Sequence, residues 1–76
     1  MTLKLLETVV LEKNLPEQGL KCGDIGAVVE LYEPEGIEVE FVAGSGRTQA
    51  LVTLRLADVR PIGDTEILSV RSLSAA

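Results

Sequence analysis

The sequence contains no histidine, no tryptophan and a single cysteine, Cys22, and these absences exclude several kinds of chemistry. Without histidine, the thiol of Cys22 has no imidazole base beside it, and the chain cannot assemble the usual cysteine and histidine ligands of a zinc site. One cysteine allows no internal disulfide, which is typical of proteins in the reducing cytoplasm, and we expect that location. We expect no catalytic residue, no metal site and no cofactor.

Positive charge and aromatic side chains are also scarce. Twelve acidic residues outnumber seven basic ones, so the formal net charge is −5. That balance repels phosphate backbones and anionic membranes, and it favours a basic protein as partner. No apolar run approaches the roughly 20 residues that cross a bilayer. Tyr32 and Phe41 are the only aromatic residues, so the core must be aliphatic.

Short apolar runs with a period of two, separated by turn residues, are what the sequence does contain. They predict β-strands over residues 8–11, 25–32, 37–42, 47–54 and 59–62, with a 3₁₀ turn over 56–58 before the last strand. The alternation predicts an inner face made of Ile25, Ala27, Val29 and Leu31, then Ile37, Val39 and Phe41, then Ala50, Val52 and Leu54.

Five antiparallel strands in about 55 residues are too few for two full sheets, so the pattern predicts an all-β fold bent into a small barrel. We assign residues 1–62 to this barrel. Residues 63–76 differ, because Ile67, Val70 and Leu73 recur at every third position. This segment is either a short helix capped by Asp64 or a C-terminal tail without regular structure.

The predicted hairpin at residues 30–40 concentrates negative charge. It holds five glutamates and no basic residue. Two of them share a strand face and two lie in the adjoining turn, so they form a solvated edge-protecting face or a docking surface for a basic partner. Tyr32 lies out of phase with the core and is a candidate contact residue. The candidate partner-binding residues, hereafter the acidic hairpin, are Tyr32, Glu33, Glu35, Glu38 and Glu40.

Seven segments follow one another in a familiar order, at residues 6–11, 15–20, 23–30, 39–42, 46–48, 52–54 and 58–61. Together they resemble a family of short bacterial proteins of unknown function, over residues 5–62. The resemblance implies an SH3-like barrel, similar to the KOW modules of ribosomal and transcription proteins and to the barrel of the nitrile hydratase β subunit. The resemblance also implies that the gene lies beside a gene for a small toxin-like protein, as in other members of the family. This implies an antitoxin-like or accessory role.

Two functions follow as expectations. The first is a non-catalytic protein-interaction module that docks a basic partner, such as the product of a neighbouring gene. The alternative is a KOW-like RNA- or ribosome-associated module, based on residues 23–28, and it requires Arg47, Arg55 and Arg60 to cluster on one face. A homodimer stays open, because the fold has an exposed edge strand and an apolar tail.

Overall fold

Five antiparallel strands make up the computed structural model, which describes residues 3–73. The prediction of an all-β fold with a 3₁₀ turn before the last strand is confirmed. Within the described residues there is no α-helix, and hence no helix that could span a membrane. The elements are β1 (Thr8–Leu11), a 3₁₀ turn (Pro16–Gln18), β2 (Ile25–Tyr32), β3 (Gly36–Val42), β4 (Thr48–Arg55), a second 3₁₀ turn (Leu56–Asp58) and β5 (Val59–Pro61).

The strands form one sheet in the order β4-β3-β2-β1-β5, so β4 and β5 are its two edges. The expected closed barrel is wrong in this respect, because no ladder joins β4 to β5 within residues 3–73. The physical reason lies in the last strand. All three residues of β5 pair with β1, and the strand ends at Pro61, which has no backbone N–H to donate.

The core is aliphatic, as the scarcity of aromatic residues predicts. Its centre comes from β1, β2 and β3, and Phe41 packs with it as expected. Of the predicted inner residues of β4, Ala50 and Leu54 are buried and Val52 is partly buried. The largest fully buried side chains are Val9, Leu11, Val28, Ile37 and Val39.

The predicted inner face of β2 is wrong. Val28 is fully buried opposite Val39, whereas Ile25, Ala27 and Val29 are only partly buried. The ladder pairs Val28 with Val39 and then Glu30 with Glu38, so Val29 is the extra residue of a β-bulge. A bulge reverses the side on which the following residues lie. Leu31 therefore faces the side of Ile37, but near the end of the strand, where it is 42% exposed.

Gly26 allows β2 to pack closely against β3. A Cβ atom at this position would lie 2.6 Å from Cγ1 of Val39 and 2.9 Å from the carbonyl oxygen of Glu40. Both distances are shorter than real contacts of a Cβ atom, so only glycine fits without a shift of β3. Gly26, the second residue of β2, is thus needed for a close approach, whereas Gly46, with φ of +91°, is needed for the turn between β3 and β4.

The segment after β5 is not a helix within residues 63–73, so of the two alternatives the tail is correct there. Residues 74–76 lie outside the described residues. The tail folds back on the sheet and is held by Arg71, whose guanidinium donates two hydrogen bonds to the carboxylate of Asp24, at 2.6 and 2.7 Å. A third bond from Arg71 reaches the carbonyl oxygen of Gly19 at 2.9 Å. The tail is therefore attached to the loop that precedes β2.

Candidate interaction surface

The outer face of the β2–β3 hairpin carries three carboxylates. The alternation along β3 buries Ile37 and Val39, and this places Glu38 and Glu40 on the outer side. Glu30 lies directly opposite Glu38 in the ladder. Like charges at directly opposed positions repel each other. A cationic group that binds beside Glu30 and Glu38 would reduce this repulsion.

Two hydroxyl groups fix the orientation of these carboxylates. The phenol of Tyr32 donates a hydrogen bond to Oε1 of Glu38 at 2.5 Å, and the hydroxyl of Thr48 donates to Oε2 of Glu40 at 2.6 Å. The bond to Glu38, assisted by burial and by the neighbouring negative charges, raises the pKa of Tyr32. Neither hydroxyl neutralises its carboxylate. The two carboxylates therefore keep their negative charge, and the hydrogen bonds fix only their orientation.

Tyr32 lies on the outer face, in the position that the sequence predicts. It pairs with Gly36 across the ladder, and its Cβ lies 3.3 Å from where a Cβ of Gly36 would be. The ring thereby covers the bare backbone of a glycine at the start of β3. Since the side chain is 45% exposed, it presents an aromatic surface beside Glu38.

Glu33 and Glu35 occupy the turn between β2 and β3. Both are exposed, and the peptide bond between Glu33 and Pro34 is cis. The carbonyl oxygen of Glu35 accepts a hydrogen bond from the backbone of Leu56 at 2.9 Å, which ties the turn to the end of β4. The structure thus brings Tyr32 and Glu38 into contact and places the two turn glutamates beyond the end of the same ladder.

The ion pairs within residues 3–73 join residues of β5, the second 3₁₀ turn, the loop between β1 and β2, and the tail. No glutamate of the acidic hairpin takes part in any of these pairs. The pairs are Lys13–Asp58 at 3.5 Å, Arg60–Glu12 at 3.3 Å, Arg60–Glu66 at 2.6 Å and Arg71–Asp24 at 2.6 Å.

The attachment of the tail is the feature that sequence reasoning missed. The hydrogen bond from Arg71 lowers the pKa of Asp24, against the opposing effect of burial. The hydrogen bonds from Arg60 and from the backbone of Gly63 lower the pKa of Glu66 from 4.5 to about 2. No sequence pattern pairs Arg71 with Asp24, because 47 residues separate them.

An open cleft of about 630 Å³ lies between the tail and the sheet. Leu20, Ile25 and Val70 line it together with Cys22, whose thiol is exposed in the loop. The backbone N–H of Cys22 donates to the side-chain oxygen of Asn14 at 2.9 Å, which holds this loop in place. Among residues 3–73 no three cysteine, aspartate or glutamate side chains group as ligands of a metal ion.

Residues 5–61 match the family described as Domain of unknown function (DUF4926). The chain belongs to this family. No curated protein and no solved structure matches the chain. The match to DUF4926 includes all five strands and ends at Pro61, close to the boundary at residue 62 that the resemblance predicts. The tail lies beyond the matched range. Since the DUF4926 description states no activity, the proposal below rests on the molecule's own geometry and charge.

Proposed function

We propose that this DUF4926 protein is a non-catalytic protein-interaction module that docks a basic partner through the acidic hairpin. One observation carries the proposal. Three of the seven basic residues are bound to carboxylates elsewhere, while none of the four glutamates of the acidic hairpin is in an ion pair within the described residues. An antitoxin-like or accessory role in the cytoplasm, as the family resemblance implies, is part of the same proposal.

A basic partner would gain both rate and affinity from this surface. Carboxylates aligned on one face steer a cationic partner during diffusion, and they accept charge-assisted hydrogen bonds after contact. Tyr32 supplies an aromatic surface beside Glu38, and such side chains are common energetic centres of small interfaces. Because hydroxyl groups hold Glu38 and Glu40, less side-chain entropy is lost when the partner binds.

The proposal assigns no catalytic role to these carboxylates. They lie on the outer side of a sheet, whereas acid–base catalysis needs a site that holds a substrate within hydrogen-bonding reach of the catalytic group. The two clefts that border the tail lie away from the acidic hairpin, and none of its residues lines either one. The position of these carboxylates therefore favours docking of a partner over catalysis.

The positions of the arginines favour this proposal over the KOW-like alternative. Arg47 precedes β4 and Arg55 ends it, so roughly 25 Å of extended chain separates them. Arg60 lies on β5 at the opposite edge of the sheet and is already bound to Glu12 and Glu66. The three side chains do not form one basic face. We accordingly expect no shift of RNA mobility at low salt.

Co-purification with the product of the neighbouring gene tests the proposal. The wild-type chain should retain that protein at low salt and release it as salt rises. The double variants Glu38→Gln/Glu40→Gln and Glu33→Gln/Glu35→Gln should retain less of it, because each removes two charges from the docking surface.

A matched control is Glu17→Gln/Asp64→Asn. It also removes two charges, and these two exposed residues form no ion pair within residues 3–73. It should behave like the wild type. Equal retention by the Glu38→Gln/Glu40→Gln variant, or equal loss in the control, would contradict docking through the acidic hairpin.

A further inference from the structure

The outer edge of β4 exposes a short window of backbone hydrogen-bonding groups. The bond from the N–H of Leu56 to the carbonyl of Glu35 continues the β3–β4 ladder by one step. Hydrogen-bonded pairs alternate with non-bonded pairs in an antiparallel ladder. Counting back from Leu56, residues 54 and 52 point their backbone groups toward β3, while Thr53 and Leu51 point theirs away from it. The N–H of Arg55 confirms this phase, because it turns outward and donates to Asp58 at 3.0 Å.

The window is bounded on both sides. At one end the N–H of Arg55 is occupied by Asp58. At the other end the ladder steps from Phe41↔Ala50 to Val42↔Thr48, so Gln49 is the extra residue of a bulge. Between these limits are the N–H and C=O groups of Leu51 and Thr53, and no hydrogen bond within residues 3–73 uses any of the four.

This edge lacks the features that normally prevent strands from pairing between molecules. Charged side chains, proline and short length protect the edges of most sheets. β4 has eight residues, no proline, and a single charge at its last position, Arg55. Leu51, in the middle of the window, is 54% exposed. The opposite edge, β5, has three residues and ends at Pro61. The two edges therefore differ, and only β4 is open to a further strand.

We propose that β4 pairs with β4 of a second copy of this chain, antiparallel about a twofold axis at Val52. In this register Leu51 lies opposite the partner's Thr53, and the twofold axis places Thr53 opposite the partner's Leu51. Each of these two pairs exchanges two N–H···O=C bonds. The four bonds use all four open groups of each copy. A twofold axis makes the interface isologous, so the same window satisfies itself without a second complementary surface.

Side chains and charges agree with this register. It places Leu51 beside the partner's Thr53, Val52 beside the partner's Val52, and Arg55 beside the partner's Gln49, so no like charges are directly opposed. Glu38 and Glu40 lie one strand further in. They are three strand spacings, or roughly 14 Å, from the corresponding residues of the second copy, beyond the screening length of about 8 Å at physiological ionic strength.

The pairing joins two five-stranded sheets into one ten-stranded sheet, with both acidic hairpins on the same face. A partner with two basic surfaces would then bind more tightly than either contact alone allows. The dimer itself does not depend on the proposed docking function, since it uses backbone groups and uncharged side chains of β4 only.

Sedimentation equilibrium of the full chain tests the pairing. The average mass should rise with concentration from 8.1 kDa toward twice that value. Because each copy carries a net charge of −5, raising the ionic strength from about 0.01 M to about 1 M should strengthen the dimer. In hydrogen exchange, the amides of Leu51 and Thr53 should be at least tenfold slower at high protein concentration than at low concentration.

The variant Leu51→Lys/Thr53→Lys should remain monomeric, because it brings four lysines to the twofold axis. Both residues are exposed, so the monomer should keep its fold. The control Thr65→Lys/Leu68→Lys replaces the same two residue types at exposed positions of the tail, outside the window, and should still dimerise. A monomer at every concentration, a dimer that survives in the window variant, or a wild-type dimer whose Leu51 and Thr53 amides stay unprotected would each overturn the proposal.

Discussion

Replacing Gly26 with alanine tests how closely β2 packs on β3. The new Cβ would lie 2.6 Å from Cγ1 of Val39 and 2.9 Å from both the carbonyl oxygen of Glu40 and Cε1 of Phe41. One of these atoms belongs to the backbone of β3, so a side-chain rotation cannot relieve the overlap. Overpacking of a core typically lowers the free energy of unfolding by about 1–3 kcal/mol.

Alanine also restricts the unfolded chain, which stabilises by about 0.4–1 kcal/mol where the native φ suits it. The two ranges leave a net expected loss in Gly26→Ala of about 0–2.6 kcal/mol, with a midpoint of about 1.3 kcal/mol. For a domain of this size, the midpoint corresponds to a fall in Tm of about 5–10 °C. Thermal unfolding followed by circular dichroism, together with urea titration, measures both quantities.

Gly44→Ala is the matched control. A Cβ at Gly44 meets no atom within 4 Å, and the φ of Gly44 is outside the left-handed region. This variant should be as stable as the wild type or more stable by up to about 1 kcal/mol. If Gly26→Ala unfolds at the same temperature as Gly44→Ala, the close approach of β2 to β3 is refuted.

Three further predictions concern the tail and the tyrosine. Arg71→Ala should speed hydrogen exchange and proteolysis in residues 64–73 while the strands keep their protection, and equal protection of the tail would contradict its attachment. Because the folded-state pKa of Glu66 is lowered to about 2, its bond to the sheet should persist above pH 4.5 and be lost as the pH falls toward 2; a carboxyl signal that titrates near 4.5 would refute this. The chain has one tyrosine and no tryptophan, so ultraviolet titration should show a pKa of Tyr32 above 10 that returns toward 10 in Glu38→Gln, and an unchanged midpoint would disprove the hydrogen bond.

Much of the architecture could be predicted because the strands are short and the turns between them are marked. The bounds of β1 and β2, and of the 3₁₀ turn at Leu56–Asp58, agree with the predicted ranges. The alternation in β3 also assigned Phe41 to the core and Glu38 to solvent. These features depend on local periodicity, which is directly visible in a sequence.

The inner face of β2 could not be predicted, because a bulge breaks the period of two. Residues 25–32 are mostly apolar on both faces, so the pattern alone did not show that Val28 faces the core and that Val29 is an extra residue. Gly26 indicates the inner face, because a Cβ atom at this position would lie 2.6 Å from a side chain of β3. Only glycine, which has no Cβ atom, fits there. Its role becomes visible only once β3 is placed against it.

The closure of the sheet and the path of the tail depend on contacts between residues distant in sequence. Arg71 binds Asp24, and nothing near either residue indicates the pair. The periodic spacing of Ile67 and Val70 suggested a helix, but both side chains are almost fully exposed, at 91% and 99%. A helix this short has no stability without burial of an apolar face, so the ion pairs determine the conformation instead.

The affinity of the co-purified partner, measured by calorimetry at several salt concentrations, tests most directly whether the acidic hairpin is the docking surface. For the wild type, binding should weaken steeply with added salt, and Glu38→Gln/Glu40→Gln should bind more weakly with a shallower salt dependence. Glu17→Gln/Asp64→Asn should retain the wild-type slope. An affinity that is independent of salt, or the same slope in all three proteins, would contradict the account.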